Sequence, residues 1–154
     1  MAAMTAVIQA SEHPPVAGAH PSVAAQPPLV APSIRAWLRI EGLAGFVAGI
    51  VLFVGLGGPW FLAIPLLLVP DMSALGYLRG PRVGAVTYNL VHNWAIGLVV
   101  LGIGVWSGVG AVGLAGAILI AHVGMDRVAG YGLKLPSSFQ DTHLGRIGKV
   151  RDQS

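Results

Sequence analysis

From residue 36 onward the chain is apolar in four long blocks, 36–57, 60–78, 82–106 and 109–133. Runs such as residues 47–56 and 62–69 are almost continuously apolar and lack the alternation of a half-buried strand. Each block is close to the ~20 residues that carry a helix across ~30 Å of hydrocarbon. Four segments are too few to close a membrane barrel, so helices are the remaining way to satisfy the backbone in lipid. The breaks fall at Gly57-Gly58-Pro59, Arg79-Gly80-Pro81, Ser107-Gly108 and Leu135-Pro136, where glycine and proline are the expected punctuation. Links this short force consecutive helices to run antiparallel. The pattern predicts an all-α membrane protein, an antiparallel four-helix transmembrane bundle over residues 35–134.

The flanks differ. Residues 1–34 contain Pro14, Pro15, Pro21, Pro27, Pro28 and Pro32, with Glu12 as the only formal side-chain charge. That density of proline predicts a disordered Ala/Pro-rich tail. It lacks the charged start and unbroken apolar run of a signal peptide. Residues 135–154 are polar and form a second tail.

Composition agrees. Of 154 residues, 55% are hydrophobic and 10% charged, against about 25% charged in soluble domains. A soluble globular enzyme, a nucleic-acid reader and a disordered chain are excluded. The absence of cysteine removes disulfides, thiolate metal sites and cysteine nucleophiles. Charge sets the orientation. In a four-helix layout Arg35, Arg39, Arg79, Arg82, Arg127, Lys134, Arg146, Lys149 and Arg151 all fall on the side of the termini and the link between helices 2 and 3. Both termini are therefore expected in the cytoplasm, with the chain as a multi-pass protein of the bacterial inner membrane. Trp60 and Trp106 lie at the far interface, Trp37 and Tyr131 at the near one. The lipid bilayer is the first partner. Gly45-x-x-x-Gly49 and Gly104-x-x-x-Gly108 are candidate faces for a homo-oligomer, with tight packing inside the bundle as the plainer reading. Pro65 and Pro70 predict a kink just ahead of Asp71.

An ionisable side chain in hydrocarbon costs at least ~2.5–3.5 kcal/mol, so each one in a segment needs a reason. They are Arg39 and Glu41 in helix 1, Asp71 in helix 2, His92 in helix 3, and His122, Asp126 and Arg127 in helix 4. At ~1.5 Å per residue, Asp71 lies about 13 Å inside Gly80 and His92 about 15 Å inside Arg82. His122 and Asp126 lie about 18 and 12 Å inside Lys134. The matching depths predict convergence. His122 and Asp126 are spaced i, i+4, as are Tyr88 and His92, and Asn89 is three residues before His92. Two imidazoles with two or three carboxylates are a common set for zinc, iron or manganese. Asp71, His92, His122, Asp126 and Glu41 are therefore the candidate ligands. Arg39, Tyr88, Asn89 and Arg127 are supporting groups, and Asp141 and His143 in the tail are candidates for the mouth of the cluster. A structural ion-pair network would use the same residues, with arginine beside the carboxylates.

The ordered strings Arg39-Ile-Glu41-Gly42, Pro70-Asp71-Met-Ser73, Gly80-Pro81-Arg82, Tyr88-Asn89-Leu-Val-His92, Ala121-His122-Val-Gly124-Met-Asp126-Arg127 and Asp141-Thr-His143 resemble a bacterial membrane family known as domain of unknown function 4260. The resemblance covers about residues 35–148 and implies a four-helix integral membrane protein, with no activity attached. A weaker similarity is to small membrane proteins described as metal-dependent hydrolases, whose His-Arg followed by Thr-His this chain lacks.

Three functions fit this pattern. One is a metal site in the cytoplasmic half of the bundle, acting on a lipid or small amphiphile. The second is a non-enzymatic accessory or scaffold protein held by a polar network. The third is a proton or small-molecule pathway through Asp71, His92 and His122. Haem held by His92 and His122 is a further option. Nucleotide motifs, a serine elbow and a mid-helix lysine are missing.

Overall fold

A computed structural model describes residues 30–148. The chain is mostly helical. Helix α1 spans Pro32–Gly55, α2 spans Trp60–Leu66, and a 3₁₀ helix follows over Pro70–Arg79. Then come α3 (Pro81–Val91), α4 (Trp94–Ser107) and α5 (Gly110–Ala129), and a short hairpin of β1 (Asp141–Thr142) and β2 (Gly145–Arg146). Three stretches are long and apolar enough to cross a membrane: Pro32–Gly55, Trp60–Arg79 and Gly110–Ala129. The pair α3–α4 makes a fourth if its 46° bend lies within one span. Large apolar side chains such as Val51, Ile64, Leu78 and Trp106 are exposed along these helices. In water such surfaces associate, whereas lipid covers them at no cost.

Three boundaries depart from the sequence pattern. The tail expected over residues 1–34 lies mostly outside the described residues, but Pro32, Ser33 and Ile34 already form the first turn of α1. Proline is at home there, because its missing N–H would have had no helical partner. The fourth helix stops at Ala129 rather than near 133. Gly130 takes a left-handed conformation (φ 89°), and Tyr131 N–H reaches back to the Asp126 carbonyl at 2.8 Å. That is a Schellman stop, which glycine permits. The third helix is not continuous over 82–106. It breaks at His92–Asn93, where Asn93 is extended (φ −127°, ψ 150°) and its Oδ1 accepts from Ile96 N–H at 3.0 Å. Its Nδ2 donates to the carbonyls of Asn89 and Leu90. An asparagine that caps the next helix and satisfies the carbonyls of the last one ends a helix without proline.

The kink expected before Asp71 takes the form of a change of helix type. Pro65 and Pro70 each lack an N–H, and the backbone between them tightens to i→i+3 bonds, Leu68 to Pro65 at 3.2 Å and Val69 to Leu66 at 3.1 Å. In that repeat the Leu67 carbonyl would accept from residue 70, which has no hydrogen to give. The Leu67 oxygen is left free for a side chain.

Packing is pairwise around α5. Gly42 lies on Gly124 and Arg127, Gly49 on Ala121, and Phe53 clusters with Ala117 and Ile118, so α1 and α5 run antiparallel. Along the other side of α5, Gly97 meets Ile120, Gly116 meets Leu101 and Gly104 meets Gly113, again antiparallel. Thus Gly49 and Gly104 are used inside the chain, Gly45 lies against the Trp94 ring, and Gly108 is a left-handed cap (φ 72°). The 3₁₀ helix pairs with α3, Gly76 on Thr87 and Tyr77 on Gly84. Polar side chains hold that second pair to α5.

A Cβ at Gly49 would sit 2.7 Å from the Ala121 Cα, whereas at Gly102 it would meet nothing within 4 Å. Gly49→Val should therefore cost about 1–3 kcal/mol through overpacking, with Gly102→Ala neutral or slightly stabilising. Thermal unfolding of the two variants in detergent checks this; equal midpoints would contradict the packing.

Candidate metal centre

His122, fully buried on α5, sits at the level of the freed Leu67 carbonyl, and its Nδ1 lies 2.6 Å from that oxygen. His92, 2% exposed at the end of α3, places its Nδ1 2.9 Å from the Tyr88 carbonyl. A carbonyl can only accept, so each Nδ1 carries the hydrogen. In the neutral rings both Nε2 atoms then present lone pairs, and they face each other at 2.9 Å. The Asp71 carboxylate closes a triangle, with Oδ1 3.5 Å from His92 Nε2 and 3.6 Å from His122 Nε2. Asp126 Oδ2 stands 3.8 and 3.9 Å from the same nitrogens. Its position is set by Tyr88, whose hydroxyl donates to Oδ2 at 2.7 Å. The Tyr88 ring also stacks on His92, centroids 3.6 Å apart and 12° from parallel. One tyrosine thus orients both a ligand ring and a carboxylate.

The set Asp71, His92 and His122 could hold a metal ion. Separations of 2.9, 3.5 and 3.6 Å define a circle of radius about 1.9 Å, slightly below zinc–nitrogen and zinc–oxygen bond lengths of ~2.0–2.2 Å. The three atoms are close enough together for one cation to reach all of them. Backbone carbonyls taking the far nitrogen of each imidazole are the usual outer support of metal-bound histidine.

Other expected residues lie elsewhere. Glu41 is exposed on α1 and outside the triangle, so its expected place among the ligands is corrected. Gly42, the next residue, faces α5, and one step along a helix turns the side chain by about 100°. Arg39 is also exposed on α1. Arg127 donates to the Tyr131 carbonyl at 2.8 Å rather than to a carboxylate. Among the described residues the arginine–carboxylate pair is Arg146–Asp141, at 3.2 Å in the tail. Asn89 is a clamp: its side chain exchanges two hydrogen bonds with the Lys134 backbone, at 2.8 and 2.7 Å.

The tail does fold back, through the Lys134–Thr142 bridge and the β1–β2 hairpin. What it presents inward is Lys134, not Asp141 or His143. The Lys134 side chain is buried, its Nζ 3.8 Å from the Phe139 ring centre and 5.0 Å from that of Tyr88. Burial pulls its ammonium below the ordinary lysine range, while the charges of Asp126 and Asp71 work the other way. Sequence reasoning counted Lys134 only as a marker of topology. Its signal was the aromatic and glycine setting of Gly130-Tyr131-Gly132. Ser73 was missed too; its Oγ lies 3.5 Å from His92 Nδ1. Asp141 is held by Ser137 and Arg146. His143 Nδ1 accepts the Leu133 N–H at 2.8 Å.

A helical chain with candidate membrane spans and an Asp/His/His cluster whose histidines are buried defines a class, membrane proteins with an internal polar centre. The match to a family model described as domain of unknown function (DUF4260) runs over residues 35–147, and the chain belongs to that family. No characterised protein and no solved structure matches it.

Partial burial and the nearby Arg127 guanidinium lower the proton affinity of His143 below that of free histidine. The unfolded tail therefore binds the proton more readily, and tail stability is present above about pH 6.5 and lost as pH falls below it. The protection factor of the Leu133 amide, its exchange rate set against the intrinsic rate at each pH, should fall on acidification through that range. In His143→Ala the protection should be low and independent of that titration. A wild-type protection factor that does not change would refute the assignment.

Proposed function

We propose that this chain is a multi-pass membrane metalloprotein, with Asp71, His92 and His122 as ligands of a divalent transition metal. One observation carries the reading. Two buried imidazoles committed to carbonyls at Nδ1 point their remaining lone pairs at each other, and a carboxylate lies almost equidistant from both. Zinc is the preferred ion. Tetrahedral ligands at ~2.0–2.1 Å stand about 3.3 Å apart, near the mean of the three separations, whereas the face of an octahedron is tighter; iron and manganese are the other outcomes. Asp71, with its side chain 52% exposed, marks the open side. A bound metal would supply a Lewis acid and a water acidified toward pKa ~7. Asp126, oriented by Tyr88, is the base beside it.

A purely structural network calls for arginine at the carboxylates, and among the described residues no arginine pairs with Asp71 or Asp126. A proton shared by the two Nε2 atoms is the second reading, supported by their 2.9 Å separation. Metal analysis separates the two. Purified wild type should hold about one zinc per chain, and His92→Ala and His122→Ala should hold none. Tyr88→Phe, which keeps the stack and loses the hydroxyl, should weaken zinc binding about 10–100-fold. Affinity should fall as pH drops through the histidine range, because the ligands must be unprotonated. Wild type that stays metal-free after incubation with zinc, iron and manganese would leave the shared proton as the account.

The proposed topology has four antiparallel spans, α3–α4 forming the bent third, with both termini in the cytoplasm. Its support is the basic residues on one side. The chain has no cysteine, so Ser107→Cys, at the exposed end of α4 on the same side, is a clean probe. It should react with an impermeant maleimide from the periplasmic side of the inner membrane; labelling only from the cytoplasm would invert the orientation.

A further inference from the structure

We propose that an apolar cavity next to the metal centre binds the hydrocarbon chain of a long-chain carbonyl amphiphile, such as a fatty acid or its ester or amide, whose head group reaches the centre at Asp71. This names the substrate class of the proposed metal site and rests on that reading.

The cavity measures about 640 Å³, within the ~300–1,000 Å³ of ligand pockets. Leu62, Leu66 and Pro70 form one wall, and Leu114 and Ile118 of α5 another. Ser73 is the sole polar side chain lining it. A space with so few polar partners does not hold water, and it rejects any ligand that must bring its hydration inside. Hydrocarbon is the chemistry it accepts.

Its place makes it more than a groove filled by bulk lipid. Pro70 and Ser73 bracket Asp71 on the 3₁₀ helix, and three-residue spacing puts them on one face. Ser73 Oγ also lies 3.5 Å from His92 Nδ1. Val91, a further lining residue, immediately precedes His92, and Ile118 is one turn before His122. The apolar volume therefore ends against the wall that carries all three metal ligands. From Leu62 to Ser73 the segment rises by about 16 Å or more, the scale of a long alkyl chain. A ligand seated along it with its head at Ser73 lies two residues from Asp71, whose carboxylate is half exposed. Oxygen donors are what a zinc site of two histidines and one carboxylate accepts, so a carbonyl or carboxylate head matches the open side.

Photo-crosslinking tests this with full-length protein in nanodiscs and palmitate carrying a diazirine at the chain end. Adducts should concentrate on the cavity walls, residues 60–66 and 111–119, and be competed by unlabelled palmitate. Ala115→Trp fills the cavity from an exposed small residue that lines it; labelling should be lost while zinc content stays at the wild-type level. Ala111→Leu is a milder filling for the case in which tryptophan prevents folding, and should reduce labelling in a protein that keeps its zinc. Adducts spread evenly over the exposed face of α1, labelling unchanged by either variant, or equal labelling by an alkane of the same length that carries the diazirine but no carbonyl head would overturn the proposal in favour of a lipid-facing groove. Zinc is measured in the same samples. Zinc present without cavity labelling sinks the chain site alone, and cavity labelling without zinc sinks the metal reading alone.

Discussion

Two lone pairs held face to face in a dry interior repel unless positive charge lies between them. That constraint organises this chain. His92 and His122 come from different helices, each is locked in one tautomer by a backbone carbonyl, and their free nitrogens meet at 2.9 Å. Asp71 and Asp126 surround the meeting point with negative charge. The same few bonds join the pair formed by the 3₁₀ helix and α3 to the α1–α5–α4 layer. In lipid the hydrophobic effect does not drive helices together, so close glycine contacts and a satisfied polar centre are left to do so.

The irregularities of the backbone fall at this centre. Pro70 deprives the Leu67 carbonyl of its 3₁₀ partner, and His122 takes it. Asn93 ends α3 at His92, so that a ligand sits at a helix terminus with Tyr88 one turn behind it. Regular helices through both points would leave His122 without its carbonyl and His92 on a different bearing. Local structure gives up ideal geometry where a site needs an unsatisfied group or an unusual direction, and helix breaks in membrane segments are tolerated where protein buries them.

Lys134 completes the electrostatics from outside the spans. It is brought in by the tail, its backbone clamped by Asn89 and its ammonium set among aromatic rings. Its ammonium offsets part of the negative charge of Asp126 and Asp71 without pairing as arginine would, which leaves the carboxylate oxygens turned toward the histidines. The tail is thus part of the centre's support rather than a passive anchor at the headgroups.

Much of this was legible in the chain itself. Block length and apolarity require helices able to cross a membrane, because only intrasegment hydrogen bonds satisfy a backbone in lipid. The cost of ionisable groups there singled out Asp71, His92, His122 and Asp126. Proline at 70 announced a disturbance ahead of Asp71, and the ordered strings pointed to the family. Depth along a helix axis, however, is one coordinate, and bearing around the axis is another. Glu41 has the right depth and the wrong bearing, since the glycine face of α1 turns its neighbour Gly42, not Glu41, toward α5. The break at Asn93 rests on capping bonds three and four residues along, but the inward turn of Lys134 depends on a hydrogen bond to a residue 45 positions away, which no local pattern encodes. Sequence determined which groups need a polar centre; only tertiary packing decided which of them share one, because the rotation of each helix is set by the surface it packs against.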